Sequence, residues 1–125
     1  MAVHISKVVT RTGDQGLTGL ADGSRVKKSS LRIQAVGEVD ELNSLLGLAV
    51  SLQPPETVSS ILTQIQHQLF AVGAELSSPG GRQVAGKAVA MLEGQIAAFN
   101  EGLPPLNGFL LPGGTAAAAQ IHVAR

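Results

Sequence analysis

The chain has 125 residues, enough for one small domain with a single core, and no linker-like stretch argues for a second domain. Its nine basic and nine acidic side chains balance, which excludes an overall field suited to binding nucleic acid or an anionic membrane. Cysteine, tyrosine and tryptophan are absent, so disulfides, thiolate metal sites, a cysteine nucleophile and stacking platforms for single-stranded nucleic acid are excluded as well.

The first predicted element is an irregular loop segment over residues 1–30. It lacks a sustained hydrophobic period, and glycines recur between small polar residues at Gly13, Gly16, Gly19 and Gly23. Residues 1–32 carry a net charge of +4 and the remainder −4. A basic, glycine-rich segment on an acidic domain suggests that this end binds a compact anion, although flexible basic N-termini are also common.

Apolar residues then recur at helical spacing over residues 31–52, 55–77 and 84–100, and proline or glycine ends each stretch. Thr115 is suited to cap a fourth helix, which the following alanines extend towards Arg125. No glycine closes this helix, so we expect the chain to stop inside an element after about three turns.

The predicted fold class is all-α. We expect an up-and-down helical bundle over residues 31–125, preceded by the irregular loop segment, within one domain spanning residues 1–125. No start resembling a signal peptide and no apolar run of about 20 residues occurs, which favours a cytoplasmic protein. A helical bundle does not by itself specify a function.

The densest candidate site is the pair of segments 10–19 and 23–28. Glycines let consecutive backbone N–H groups converge on an anion, hydroxyls add donors, and arginine or lysine neutralises polyphosphate charge. The pattern is neither a Walker A loop nor a dinucleotide fingerprint. A solvated loop without function is the competing interpretation.

Two further segments carry candidate residues. Asp40 and Asn43 lie three apart near the start of the first helix, where they share a face or simply complement the helix dipole. Phe109 lies on a segment bounded by proline and glycine and would form either an apolar wall or part of the core. Arg125 would pair with a carboxylate or phosphate, or remain solvated. The histidines lack paired ligand spacing, so no protein metal site is predicted.

Taken together, these segments resemble the ATP:cob(I)alamin adenosyltransferases of the propanediol-utilisation type. The matching pieces occur in the family's order and spacing along the whole chain: TRTGDQGLT (10–18), GSRVKK (23–28), GEVDELNS (37–44), LPPL (103–106), FLLPGG (109–114) and HVAR (122–125). Each matching piece alone is weak evidence for the family, but their combination is specific to it.

The resemblance implies a five-helix bundle, here truncated in its fourth helix, that forms a homotrimer with active sites between subunits. It implies transfer of the 5′-deoxyadenosyl group of ATP to the cobalt of a reduced corrinoid, which forms adenosylcobalamin and triphosphate with Mg²⁺ assisting. The implied partners are ATP and the corrinoid, without nucleic acid or membrane.

The resemblance also implies roles for individual residues. Asp40 would pair across the interface with Arg125, and Phe109 would lie under the corrin ring and keep the lower cobalt position empty. Lys28 would reach a phosphate oxygen. The implied ligand-binding residues are Thr10, Arg11, Thr12, Gly13, Asp14, Gly16, Thr18, Gly19, Arg25, Lys28 and Asn43.

An alternative is a non-catalytic helical oligomer that binds nucleotide or corrinoid without turnover. It is considered because the family continues beyond the arginine matched by Arg125 into a stretch with further ATP-contacting arginines. A plain helical assembly module is disfavoured, because it has no reason to carry the segment 10–28.

Overall fold

The computed structural model describes residues 5–81 and 86–125. Within these ranges the elements are β1 (Leu17–Gly19), β2 (Arg25–Lys27), α1 (Leu31–Ser51), α2 (Glu56–Ser77), α3 (Lys87–Glu101) and α4 (Ala116–Ala124). The predicted helical fold class is confirmed. The predicted start of the third helix at Val84 lies outside the described residues, as do residues 1–4 of the loop segment.

The first two helices begin and end where local chemistry dictates. The Ser30 hydroxyl caps α1 by accepting a hydrogen bond from the Ile33 N–H, and Pro55 precedes the first turn of α2. The tight connection between them places Gln53 at a φ of 55°. Because a four-residue connection leaves no room for a crossover, α1 and α2 are antiparallel neighbours.

The core lies where α1 contacts both α2 and α4. It is built from Leu46, Ala49 and Leu62, and Ala49 is completely covered. A small residue at this point lets neighbouring helices approach closely, and larger aliphatic side chains close the space around it. The core is therefore aliphatic, as the scarcity of aromatic residues predicts.

Polar side chains also join the helices. The Asn43 Nδ2 donates to the backbone oxygen of Gln66 at 3.2 Å, and the Gln66 Nε2 donates back to the oxygen of Asn43 at 3.0 Å. Gln120 of α4 donates to the oxygen of Leu45 at 3.4 Å. These bonds fix the axial register of the helices relative to one another, which apolar packing alone does not specify.

α3 and the following segment are less covered. No α3 residue whose side chain is described is buried, and Val89 and Ile96 are mostly exposed. The apolar run 108–111 forms no strand with any described residue. Among the described helices, none has both the length and the apolarity that a bilayer crossing requires.

The loop segment is more ordered than its sequence predicts. β1 and β2 form an antiparallel hairpin in which Gly19 pairs with Arg25 and Leu17 with Lys27. Its turn is closed by a hydrogen bond from the Gly23 N–H to the oxygen of Leu20, and Gly23 takes a φ of 84° that favours glycine. The prediction of an irregular segment up to Ser30 is therefore wrong for residues 17–27.

The hairpin is attached to the end of α2. The Ala21 N–H of the hairpin turn donates to the oxygen of Ser77 at 2.9 Å. Beside it, the Arg32 Nη1 of α1 donates to the oxygen of Leu76 at 2.7 Å. Carbonyls at a helix C-terminus lack partners within the helix, so these donors satisfy two of them. This attachment places the candidate anion-binding loop at one end of the α1–α2 pair.

The Thr115 cap of α4 leads to a stability prediction. Its hydroxyl accepts a hydrogen bond from the Ala118 N–H at 3.1 Å. We expect Thr115→Ala to lower the free energy of unfolding by about 1 kcal/mol, because an N-terminal N–H loses its acceptor. Urea unfolding followed by circular dichroism measures this, with Thr115→Ser and the exposed Thr57→Ala as controls. Equal stability of Thr115→Ala and the wild type would contradict it.

Candidate functional site

The glycine-rich loop preceding β1 presents free backbone donors. The N–H groups of Thr12, Gly13 and Gln15 make no hydrogen bond to any described residue. Arg11 takes a left-handed φ of 60° and Gly16 one of 82°. Residues 12–15 between them form turns, and successive N–H groups in a turn conformation can form a concavity that suits an anion.

The other predicted ligand-binding residues of this segment lie in the loop or in β1. The hydroxyls of Thr10 and Thr12 are 3.0 Å apart and hydrogen-bonded, while the Asp14 carboxylate is exposed and has no partner among the described residues. Thr18 and Gly19 lie within β1, so the hairpin holds them in place. The loop therefore has donors ready for an anion and one unengaged carboxylate.

Lys28 passes directly over Gly13. A Cβ atom built on Gly13 would lie 2.8 Å from the Lys28 Nζ and 2.9 Å from its Cε. The backbone N–H of Lys28 donates to the oxygen of Gly16 at 2.8 Å, which anchors the lysine beside the loop. The ammonium is thus placed beside the free N–H groups, where it would add charge to the same anion site.

Arg25 is engaged with the backbone. Its Nη2 donates to the oxygen of Thr12 at 2.8 Å and to that of Leu17 at 3.3 Å. The sequence predicts Arg25 as a direct ligand contact, but in the structure this nitrogen binds two loop carbonyls. No sequence signal distinguishes these roles, because a guanidinium can donate hydrogen bonds to carbonyl as well as to phosphate oxygens.

Asp22 organises the turn of the hairpin. Its carboxylate accepts from the Ser24 hydroxyl at 2.6 Å and from the Ser24 N–H at 2.9 Å. The hydroxyl hydrogen bond and then the backbone one lower the pKa of Asp22 below its usual 3.8, with a small contribution from the Arg32 charge. The Asp22-Gly23 pair is a recognised hairpin signal that could have predicted this turn.

This arrangement gives a pH-dependent prediction. Because the folded pKa is depressed, the turn is stabilised above pH about 4 and loses that contribution as pH falls through the folded pKa. We expect Ser24→Ala to return the Asp22 pKa towards its ordinary value, measured by NMR titration of the carboxyl carbon. An unchanged titration midpoint in Ser24→Ala would contradict the assigned cause.

Asp40 and Asn43 lie together at a cavity between α1 and α2. The cavity has a volume of about 380 Å³, and its other walls include Ile33, Val39, Leu69 and Phe70. Asn43 is 7% exposed, and its Oδ1 is buried without a hydrogen-bond partner. The prediction that these two residues share a face is confirmed. An unsatisfied buried acceptor beside a carboxylate suits a hydrogen-bond donor that bears positive charge.

Phe70 is a wall of this cavity that the sequence analysis did not single out. It is 69% exposed, although the same helix buries Ile61 and Leu62. The available signal was its position beside the buried stripe of α2 and not within it, because a large apolar side chain that stays exposed often marks a binding surface.

Phe109 is completely exposed on the segment between α3 and α4. It lines an apolar depression of about 610 Å³ together with Asn100, Leu103, Pro104, Pro105, Leu106 and Leu110. The interpretation of Phe109 as a core residue is therefore wrong. A rigid apolar surface of this kind suits one face of a flat ligand.

Arg125 is exposed at the end of α4, and no hydrogen bond or ion pair joins it to Asp40 within one chain. Their predicted pairing across an interface stays a prediction. In residues 5–81 and 86–125, no cluster of three histidine, aspartate or glutamate side chains could hold a metal ion.

Comparison with known proteins extends these observations. The sequence model for cobalamin adenosyltransferases matches residues 8–125. The cobalamin adenosyltransferase of Cupriavidus metallidurans is 52% identical over 127 residues, covering 100% of this chain and 68% of that protein. The corrinoid adenosyltransferase of Mycobacterium tuberculosis is 44% identical over 133 residues, covering 100% and 69% respectively.

The fold has a close counterpart among solved structures. A variant PduO-type ATP:corrinoid adenosyltransferase from Lactobacillus reuteri, complexed with cobalamin and ATP, matches with a TM-score of 0.86 and 32% identity. The match covers 94% of this chain and 70% of that one. The sequence match runs from the glycine-rich loop through Phe109 to the end of α4. The chain belongs to the cobalamin adenosyltransferase family.

Proposed function

We propose that this chain transfers the 5′-deoxyadenosyl group of ATP to the cobalt of a reduced corrinoid, which yields adenosylcobalamin and triphosphate. The observation that carries the proposal is the loop of free N–H groups with the Lys28 ammonium beside Gly13, in a chain of this family. The relative from Lactobacillus reuteri is complexed with both cobalamin and ATP.

The reaction needs little general acid or base catalysis from the protein. Cobalt(I) donates an electron pair to C5′ of ATP, a cobalt–carbon bond forms, and the bond from C5′ to the triphosphate oxygen breaks. The leaving triphosphate keeps that electron pair. The protein must therefore hold C5′ in line and stabilise the departing charge, which preorganised N–H groups and an ammonium do.

Mg²⁺ fits this loop as a companion of ATP. It binds through phosphate oxygens and waters with one or two carboxylates, and does not need a dedicated cage of side chains. Asp14 is the one carboxylate within residues 10–19 and has no partner among the described residues. When bound, Mg²⁺ neutralises triphosphate charge, and we assign Asp14 as the side chain that faces it.

Asp40 and Arg125 support a second part of the proposal, a homotrimer with active sites between subunits. Asp40 lines a cavity with the unsatisfied Asn43 Oδ1, and Arg125 has no carboxylate partner within its own described chain. A guanidinium from a neighbouring subunit would satisfy both acceptors. A cytoplasmic location is proposed because ATP and a strongly reduced corrinoid occur together in a reducing compartment.

The test is an absorbance assay for adenosylcobalamin formed from ATP and chemically reduced cobalamin, with triphosphate measured in parallel. One triphosphate should appear for each adenosylcobalamin. Binding of ATP and cobalamin without either product would support the alternative of a non-catalytic binding protein. Native mass spectrometry of the same sample tests the trimer.

A further inference from the structure

Arg25 holds the two ends of the anion-binding loop. It lies in β2 opposite Gly19, and its Nη2 reaches the backbone oxygens of Thr12 and Leu17. These two carbonyls bracket the segment that carries the free N–H groups of Gly13 and Gln15, and the free N–H of Thr12 directly precedes it. One guanidinium nitrogen therefore fixes the segment at both ends.

This contact has an electrostatic consequence for an anion. Backbone carbonyls carry partial negative charge, so a loop whose oxygens faced triphosphate would repel it. A cation that donates hydrogen bonds to both oxygens offsets that charge and leaves the neighbouring N–H groups unopposed.

The same contact reaches Lys28. A Cβ on Gly13 would lie 3.1 Å from the Leu17 oxygen that Arg25 binds, as well as 2.8 Å from the Lys28 Nζ. Gly13, the Leu17 carbonyl and the Lys28 ammonium therefore meet at one point. A shift of the loop at Leu17 must displace the surface over which Lys28 passes.

We propose that Arg25 is a positioning residue for ATP. Its guanidinium binds the loop backbone, holds the free N–H groups in place, and sets where the Lys28 ammonium lies, without itself contacting phosphate. This inference rests on the proposed function and deepens it, because it divides the two cations into one that organises the loop and one that binds the anion.

The first test needs no ligand. Arg25→Ala should speed amide hydrogen exchange of Gly16 in the free protein about tenfold, because its N–H donates to the Gly13 oxygen within the loop that loses both anchors. Lys27→Ala is the matched control, since Lys27 lies in the same strand, is exposed and makes no side-chain hydrogen bond to a described residue. It should leave the exchange unchanged. Arg25→Met, which keeps the aliphatic stem, should behave like Arg25→Ala.

The second test separates positioning from direct phosphate contact. Arg25→Ala should raise the KM for ATP about tenfold while leaving the KM for corrinoid unchanged. In a double-mutant cycle with Lys28→Ala, the two effects should be strongly non-additive, because Arg25 acts through the placement of Lys28. If both residues contacted phosphate independently, the fold-increase in the KM for ATP of the double variant would be the product of the two single fold-increases.

The outcomes are distinct. Faster loop exchange together with non-additive KM effects supports the proposal. Unchanged loop exchange in both Arg25→Ala and Arg25→Met overturns it, as do multiplicative KM effects. If the wild-type chain formed no adenosylcobalamin, the proposed function would fail, while loop exchange in the free protein would still decide whether Arg25 positions the loop.

Discussion

Lys28→Ala should raise the KM for ATP about 10- to 100-fold and leave the KM for corrinoid nearly unchanged. The lysine passes over Gly13 with its ammonium beside the free loop N–H groups, and its side chain has no partner among the described residues. A hydrogen bond to a charged group contributes about 1.5–3 kcal/mol, which corresponds to this change in affinity. Initial rates of adenosylcobalamin formation at varied ATP concentration measure the effect.

Lys27→Ala is the matched control for this experiment. It removes the same charge one residue earlier, from a strand position whose side chain does not approach Gly13. We expect its KM for ATP to stay close to that of the wild type. Equal increases in the two variants would mean that general positive charge on the hairpin attracts ATP, and that Lys28 has no specific contact with phosphate.

The helices were predictable because their ends are marked by local chemistry. The predicted stretch 55–77 differs from the observed α2 only in its first residue, where Pro55 fixes the start. The Thr115 cap likewise placed the start of α4 correctly. Proline, glycine and capping hydroxyls affect the backbone only within a few residues of themselves. The local sequence is therefore enough to predict where these helices end.

The hairpin was not predictable from periodicity. Each strand has three residues, too few for alternation to emerge, and only Thr18 and Val26 within the strands are half-buried. The hairpin is stabilised by contacts distant in sequence, such as the hydrogen bond from Ala21 to Ser77. Such contacts exist only after α2 has formed, so the local sequence does not report them.

The position of the candidate site was predictable from the sequence. The different contacts of its two cations, Arg25 and Lys28, were not. The residues of segment 10–28 predict an anion-binding loop, and the structure brings Lys28 beside Gly13 of that segment. The partners of Arg25 depend on strand register, which sets Arg25 opposite Gly19 and within reach of the Thr12 and Leu17 carbonyls. A register shift of one residue would turn this side chain to the other face.

Phe109→Ala should reduce transfer to a corrinoid supplied as cobalt(II) with a weak reductant by about tenfold or more. Transfer to fully pre-reduced cobalt(I) should fall much less. We expect the completely exposed ring, which lines an apolar depression, to cover the lower face of a corrin and exclude a water ligand. Coordination sets the cobalt potential, and a shift of about 59 mV in a one-electron couple changes the equilibrium tenfold.

The comparison of the two corrinoid states makes this assignment testable. Stability should not change, because a side chain without burial contributes no packing to the folded chain. Leu111→Ala is the matched control, since Leu111 is 93% exposed on the same segment but does not line the depression. Equal loss with cobalt(II) and cobalt(I) would mean that Phe109 binds the corrin without controlling its lower ligand. A larger loss with cobalt(II) would show that the ring favours reduction by excluding that ligand.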